Sequence, residues 1–403
     1  MKISKQVITV YEQEVLAVGD QGNNLIFSEE YLQQLASLQS RLPARLYQLA
    51  YRSVRFGSVA GVIQLPQLLI EILPKISRQT DPRPVRKVWT QLLQSSGHLP
   101  FLGDLHPQLL TQPGALVHVL EQAFLKEVHQ LTRQGLIRQY QSSEGQQPFL
   151  RGKLLLHQQI RHNLIRQDRF YVRSQAHQVD HPLNQRLKQA LRIIEASSEI
   201  RSLVKQALTH FQNVTNLPLR HPWEEFAPFN HITQRYGRAL SLAKLICQGY
   251  LGGTFVGEDV GFALLFDMSQ VFEVLIHRYL RTLAETYDWK LQYQPSRAFW
   301  ESKQLRPDFT IDIPGRSRVV IDTKWKILKR PEPNDDDLRQ IFAYTQIFEA
   351  QRGILLYPNV HNLSPALQSF STSKTQSANC EIQFITLEDN LEEQLYAMLM
   401  ASG

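Results

Sequence analysis

Asp308, Asp322 and Lys324 stand in one short segment, RPDFTIDIPGRSRVVIDTKWK, and their types and spacing suit phosphodiester hydrolysis. Two hard carboxylates can hold one or two Mg²⁺ ions, which prefer oxygen ligands and keep several waters; Mn²⁺ is a reasonable substitute. Such an ion lowers the pKa of a bound water and offsets the charge that grows on the phosphate in the transition state. A lysine two residues after the second acid points the same way along a strand. It could orient or help deprotonate the attacking water, or stabilise charge electrostatically. The residue types leave both roles open.

A hairpin is the element that must bring these three together. Alternation in the first strand puts Asp308, Thr310 and Asp312 on one face, and Phe309, Ile311 and Ile313 on the other. Pro314 and Gly315 supply the turn. In the second strand Val320, Asp322 and Lys324 share a face, with Ile321, Thr323 and Trp325 opposite. Two helices add candidates. In DMSQVFEVLIHRYL the apolar stripe runs through Met268, Phe272, Leu275, Ile276 and Tyr279, and Glu273 lies at its border, able to reach a metal beside the sheet. In DDDLRQIFAYTQIF, Gln340 and Tyr344 are four apart on one face and could contact phosphate or position the lysine. Asp312 is expected at the rim, and Asp335, Asp336 and Asp337 as a run capping the helix N-terminus.

A chain of 403 residues exceeds one ordinary core. The pattern predicts an α+β and α/β multidomain protein in three parts. Residues 1–84 read as β-rich, with short alternating runs punctuated by Gly57 and Gly61. Residues 85–250 read as mostly helical, as in VHVLEQAFLKEVHQLTRQGL, which Gly135 would close, with the polar insert QSSEGQQP before a basic segment at 151–173. That segment could face DNA, an acidic partner or solvent. GYLGGTFVGEDVG has the glycine density of a connection. Residues 255–403 then read as an α/β domain: a helix from FALLFDMSQ onward, the 306–326 hairpin, a helix at 336–350, strands GILLYP and EIQFITL, and a last helix.

Composition narrows the functional classes. Two cysteines, Cys247 and Cys380, give neither a disulfide framework nor a thiolate metal site. No apolar run approaches a membrane span and the N-terminus lacks a signal-peptide core, so a cytoplasmic protein without membrane contact is expected. The net charge of +7 is uneven: residues 1–254 carry +12 and residues 255–403 carry −5. A basic front half suits a polyanion, and an acidic back half tolerates cations. No GxxxxGK[ST] loop occurs, so no nucleotide is expected to bind this chain.

Glu273, RPD with Asp308, DTK with Asp322 and Lys324, and Gln340-x-x-x-Tyr344 together resemble the PD-(D/E)xK nucleases with a RecB-like QxxxY extension. That resemblance implies a restriction-endonuclease-like α/β domain in which Asp308, Asp322 and Glu273 bind metal, Lys324 is the catalytic lysine, and Gln340 and Tyr344 support it. Across nearly the whole chain, LLIEILPKI, LRGKLLLHQQIRHN, DHPLN, LLFDMSQVFE, LRPDFTID, VVIDTKWK, RQIFAY and GILLYP resemble the McrC family, the nuclease subunit of modification-dependent McrBC restriction systems. Family members usually carry Tyr where this chain has Trp325. The resemblance implies an endonuclease cutting methylated double-stranded DNA, joined through its N-terminal region to a hexameric McrB-like AAA+ GTPase that it stimulates. Two alternatives stay open: a structural GTPase activator with a weak or idle nuclease, and a RecB-like nuclease of another defence or repair system.

Overall fold

The computed structural model describes residues 6–22, 25–39, 45–76, 81–99, 112–166, 168–197, 200–218, 221–224, 230, 233–249, 262–369, 379–387 and 390–401. The chain forms two compact bodies: residues 1–116 together with 264–403, and residues 117–263. The β-rich N-terminal part and the segment carrying the candidate site therefore share one body.

The N-terminal part of that body is a four-stranded sheet of β1 (Gln6–Tyr11), β2 (Val59–Gln64), β3 (Leu68–Leu73) and β4 (Phe262–Asp267), in the order β1-β3-β2-β4. β2 and β3 are buried at every position, which is why they read as near-continuous apolar runs. Glu71 interrupts β3 and is neutralised by Arg86 of α1 (Pro82–Ser95) at 2.6 Å, an ion pair buried on both sides. Gly61 has φ +144°, and a Cβ there would lie 2.0 Å from the Leu264 carbonyl oxygen, so only glycine lets β4 approach. FALLFD is thus a strand, not the beginning of the following helix. Asp267 caps α2 (Met268–Tyr287) by accepting from Ser269 N at 3.0 Å, and so fixes where the helix starts. A helix at Glu29–Gln39, burying Leu32, Leu35 and Leu38, also interrupts the β-rich region.

The C-terminal part is a six-stranded mixed sheet of β5 (Lys290–Tyr293), β8 (Phe309–Asp312), β9 (Val319–Thr323), β10 (Arg352–Pro358), β11 (Ala366–Ser369) and β12 (Asn379–Ile385). A separate ribbon, β6 (Arg297–Trp300) and β7 (Lys303–Leu305), stands beside it. The sheet order is β5-β8-β9-β10-β12-β11, with β8–β9 antiparallel and β9–β10–β12 parallel. The expected hairpin, both later strands and the mixed sheet are therefore present. α3 (Asp335–Ile347) packs on one face, burying Ile341, Tyr344 and Phe348 against Val320, Leu355, Tyr357 and Ile382. A Cβ at Gly353 of β10 would come within 2.7 Å of Thr345 Cγ2 and 2.8 Å of Ile341 Cγ1, so glycine sets how closely α3 lies on the sheet. α2 serves the other face, where His277 stacks on Phe309 at 6.0 Å and Phe272 meets Trp325 at 5.5 Å. α4 (Leu391–Met400) packs against α2 and β12.

The body at 117–263 is less helical than its sequence suggests. Gln139–Gln147 and Phe170–Gln178 form a long antiparallel pair, joined by Lys153–Leu154. The polar insert QSSEGQQP begins within that first strand. Its residues carry no apolar alternation; the ladder is held by backbone bonds, by Ser143 and Gln147 at Ser174, and by Tyr140 stacked on His177. The DHPLN segment is a brace. Buried Asn184 donates to the Ile137 and Val179 carbonyls and accepts from the Tyr236 hydroxyl at 2.9 Å. The glycine-dense connection after Gly249 lies outside the described residues. Among the described residues no helix is long and apolar enough to cross a membrane.

Candidate active site

Antiparallel register pairs Phe309 with Ile321 and Thr310 with Val320, and one step further sets Asp308 opposite Asp322. Asp308 precedes β8, so its carboxylate swings to the end of β9. There Oδ2 accepts from Thr323 N at 2.7 Å and from Thr323 Oγ1 at 2.5 Å. The backbone on either side is fixed as well: Gln294 N donates to the Asp308 carbonyl at 2.8 Å, and the Tyr344 hydroxyl to the Arg306 carbonyl at 3.1 Å.

Asp322 is 4% exposed. The Lys324 ammonium lies 2.6 Å from its Oδ2, but out of hydrogen-bonding line, and that buried oxygen has no directed donor. Burial, opposed by Lys324 and reinforced by Asp308, pushes the Asp322 carboxyl up to about 6. For Lys324, burial opposes the charge, but Asp322, Asp337 and Asp308 together outweigh it and hold the ammonium above its ordinary pKa. The site has more negative charge than one lysine neutralises.

Helix α3 completes the chain of contacts. Lys324 donates to Gln340 Oε1 at 2.6 Å, and Gln340 Nε2 donates to the Tyr344 hydroxyl at 2.7 Å. The i, i+4 pair therefore acts as a two-residue bracket for the lysine. Glu273 sits one step out. Its Oε1 accepts from Gln294 at 2.6 Å and it is hydrogen-bonded by Tyr293; burial, then the Asp308 charge, raise its pKa. Among the described residues no three Asp, Glu, His or Cys side chains are grouped as a ready-made metal cage. Asp308, Asp322, Lys324, Gln340 and Tyr344 thus form one cluster, with Glu273 at its margin.

The donor set fits a hard divalent cation: two carboxylates in register, one with a buried oxygen lacking a directed hydrogen bond. Two carboxylates suffice for Mg²⁺, which fills its remaining positions with water and substrate oxygens.

Three contributors escape sequence pattern. Alternation predicts Thr323 on the far face, yet its hydroxyl reaches Asp308 because the acid curls around the strand end. Asp337 is buried, bonded by Lys326 at 2.7 Å and by the Tyr357 hydroxyl at 3.1 Å, and lies 3.7 Å from Lys324, so it does more than begin a helix. Only its position within a DDD run hid it. Trp325 joins the site strand to the N-terminal sheet by donating to Glu12 at 2.9 Å. Asp312 is a rim residue paired with Arg318 at 2.6 Å.

A model of the family described as McrBC 5-methylcytosine restriction system component matches residues 54–358. A search of curated proteins returns no match. Among solved structures, a chain of the tetradecameric assembly of Thermococcus gammatolerans McrB AAA+ hexamers with bound McrC is similar in fold. Its TM-score is 0.73 at 19% identity, covering 98% of this chain and 99% of that one. A chain of the Thermococcus gammatolerans McrBC complex gives a TM-score of 0.48 at 19% identity, over 68% of this chain and 87% of that one. The family match spans more than half of the sequence, including every residue of the cluster, and the chain belongs to the McrBC 5-methylcytosine restriction system component family.

Proposed function

We propose that this chain is the Mg²⁺-dependent endodeoxyribonuclease subunit of a McrBC-type system, cutting modified double-stranded DNA in partnership with an McrB-like AAA+ hexamer. The observation that carries the reading is that Asp308 and Asp322 come together at one end of the hairpin, with the Lys324 ammonium 2.6 Å from a buried Asp322 oxygen and Asp308 acting on both. The AAA+ partner is supported by the Thermococcus assembly, in which McrB hexamers hold McrC.

In this reading Asp308, Asp322 and Glu273 would hold the cation. When bound, the cation would supply an activated water and charge neutralisation on phosphate. Thr323 fixes the orientation of Asp308, and Gln340 with Tyr344 fixes that of Lys324. The acids around Lys324 favour its charged form, which suits it to stabilise charge on the phosphate oxygens and orient the nucleophile.

The test is cleavage of methylated plasmid by the co-purified complex with GTP and Mg²⁺. Asp308→Ala or Asp322→Ala should abolish cutting while leaving assembly and GTPase stimulation intact. Retained cutting in both variants would overturn the assignment; loss of assembly as well would give these acids a structural role instead.

A further inference from the structure

The ribbon β6–β7 is exposed along nearly its whole length, and its apolar side chains are unusual in that setting: Phe299 is 50% exposed and Trp300 64%. Large aromatics in adjacent exposed positions suggest a binding surface more than a solvated hairpin. Along the same stretch stand Arg297, Lys303 and Arg306 against a single acid, Glu301, within a C-terminal segment that is otherwise acidic overall. Arg306 acts electrostatically on Glu273 at the margin of the site, whereas Arg297 is used to anchor the ribbon. Its Nη1 donates to the Ile347 carbonyl at 2.9 Å, and its guanidinium sits 5.1 Å over the Phe348 ring. Ser296 donates to Gln304 across the ribbon base. The support is the end of α3, the helix that brings Gln340 and Tyr344 to the site. A rigid base therefore carries an aromatic and cationic tip.

The ribbon also lies close to the acids along the chain. Three residues lead from Leu305 to Asp308, a span of at most about 11 Å. One DNA strand carries a phosphate about every 3.4 Å along its axis. A duplex with a phosphate at Asp308 and Asp322 has its neighbouring phosphates within a few nucleotides of this ribbon.

We propose that β6–β7 is a DNA-gripping element of the nuclease, with Trp300 and Phe299 packed on bases or sugars and Lys303 and Arg306 on the phosphates flanking the cut. The inference rests on the nuclease reading above. Aromatic rings offer a sequence-tolerant stacking surface, and cations beside them match a phosphate backbone, which is the pairing single strands and flipped or unstacked bases require.

The full chain is tested for binding to a short labelled methylated duplex by fluorescence anisotropy, with Ca²⁺ replacing Mg²⁺, at several salt concentrations. Trp300→Ala should weaken binding about fivefold or more, and Trp300→Phe should restore most of it. Lys303→Ala should weaken binding and flatten the dependence of log K on log salt by about 0.9. These side chains are exposed, so thermal melting should match wild type. Unchanged affinity and salt slope in Trp300→Ala, Phe299→Ala and Lys303→Ala would overturn the proposal. So would loss of AAA+ partner binding with DNA binding intact, because that would make the ribbon a protein-docking surface. Mg²⁺-dependent cleavage by the wild-type complex separates the two readings. Weakened binding without wild-type cleavage leaves the ribbon and refutes the nuclease; cleavage with unchanged binding does the reverse.

Discussion

Replacing Glu12 by Gln should remove a pH dependence of stability that this single buried acid imposes. Glu12 is 1% exposed, and its carboxylate accepts from the Trp325 indole at 2.9 Å on both oxygens and from Lys75 N at 2.8 Å. Burial nonetheless pushes its pKa up to about 7 from 4.5, with the two donors and the Lys75 charge only partly offsetting it. The folded protein thus holds this proton more tightly than the unfolded chain. Below pH 4.5 both states are protonated and the group costs nothing. As pH rises from 4.5 to about 7 the unfolded chain releases the proton while the folded one retains it, so stability falls. Above about 7 both are ionised and the loss is complete. At 1.36 kcal/mol per pH unit the gap amounts to about 3 kcal/mol, an upper bound because relaxation and water entry reduce it. Gln copies the neutral acid in shape and accepts from the same donors, without the charge. The assay is denaturant unfolding of wild type and variant at a series of pH values, read as the difference between them so that other carboxylates cancel. The variant should gain on wild type by up to about 3 kcal/mol between about pH 5 and about pH 8. A difference that stays flat would show that Glu12 is not strained by its burial, and the account of this contact would fail.

Other perturbations address the site and its scaffold. Lys324→Ala should slow cleavage by about a hundredfold or more while metal affinity, measured by calorimetry, stays near wild type; unchanged cleavage would remove Lys324 from the mechanism. Tyr344→Phe loses a hydroxyl that accepts from Gln340 and donates to the Arg306 carbonyl, so cleavage should fall by a smaller factor with assembly intact, and an unaltered rate would show that the bracket is dispensable. Arg352→Met leaves Glu381 buried without its 2.6 Å partner and should cost about 3–5 kcal/mol, seen as a large drop in melting temperature. Melting unchanged by that substitution would mean the pair contributes little.

The candidate cluster was legible as a cluster because strand alternation and helical spacing are local. Asp308, Asp322 and Lys324 fall on one face by period two, with Pro314 and Gly315 turning the hairpin between them. Gln340 and Tyr344 align by period 3.6, and α3 carries them onto that face. Sequence by itself therefore determined which side chains could meet and what chemistry their types allow. It misread the segments whose local signal is weak or shared: FALLFD, an apolar run equally compatible with helix and strand, and Gln139–Gln147, a strand with no apolar alternation because its faces are polar. Only the tertiary structure decided that Thr323 fastens Asp308, that Asp337 is buried beside Lys324, and that Glu12, more than three hundred residues away in sequence, holds Trp325. The physical reason is that hydrogen bonds to buried acids are made by whichever donors the fold brings near, and no periodicity along the chain records the choice.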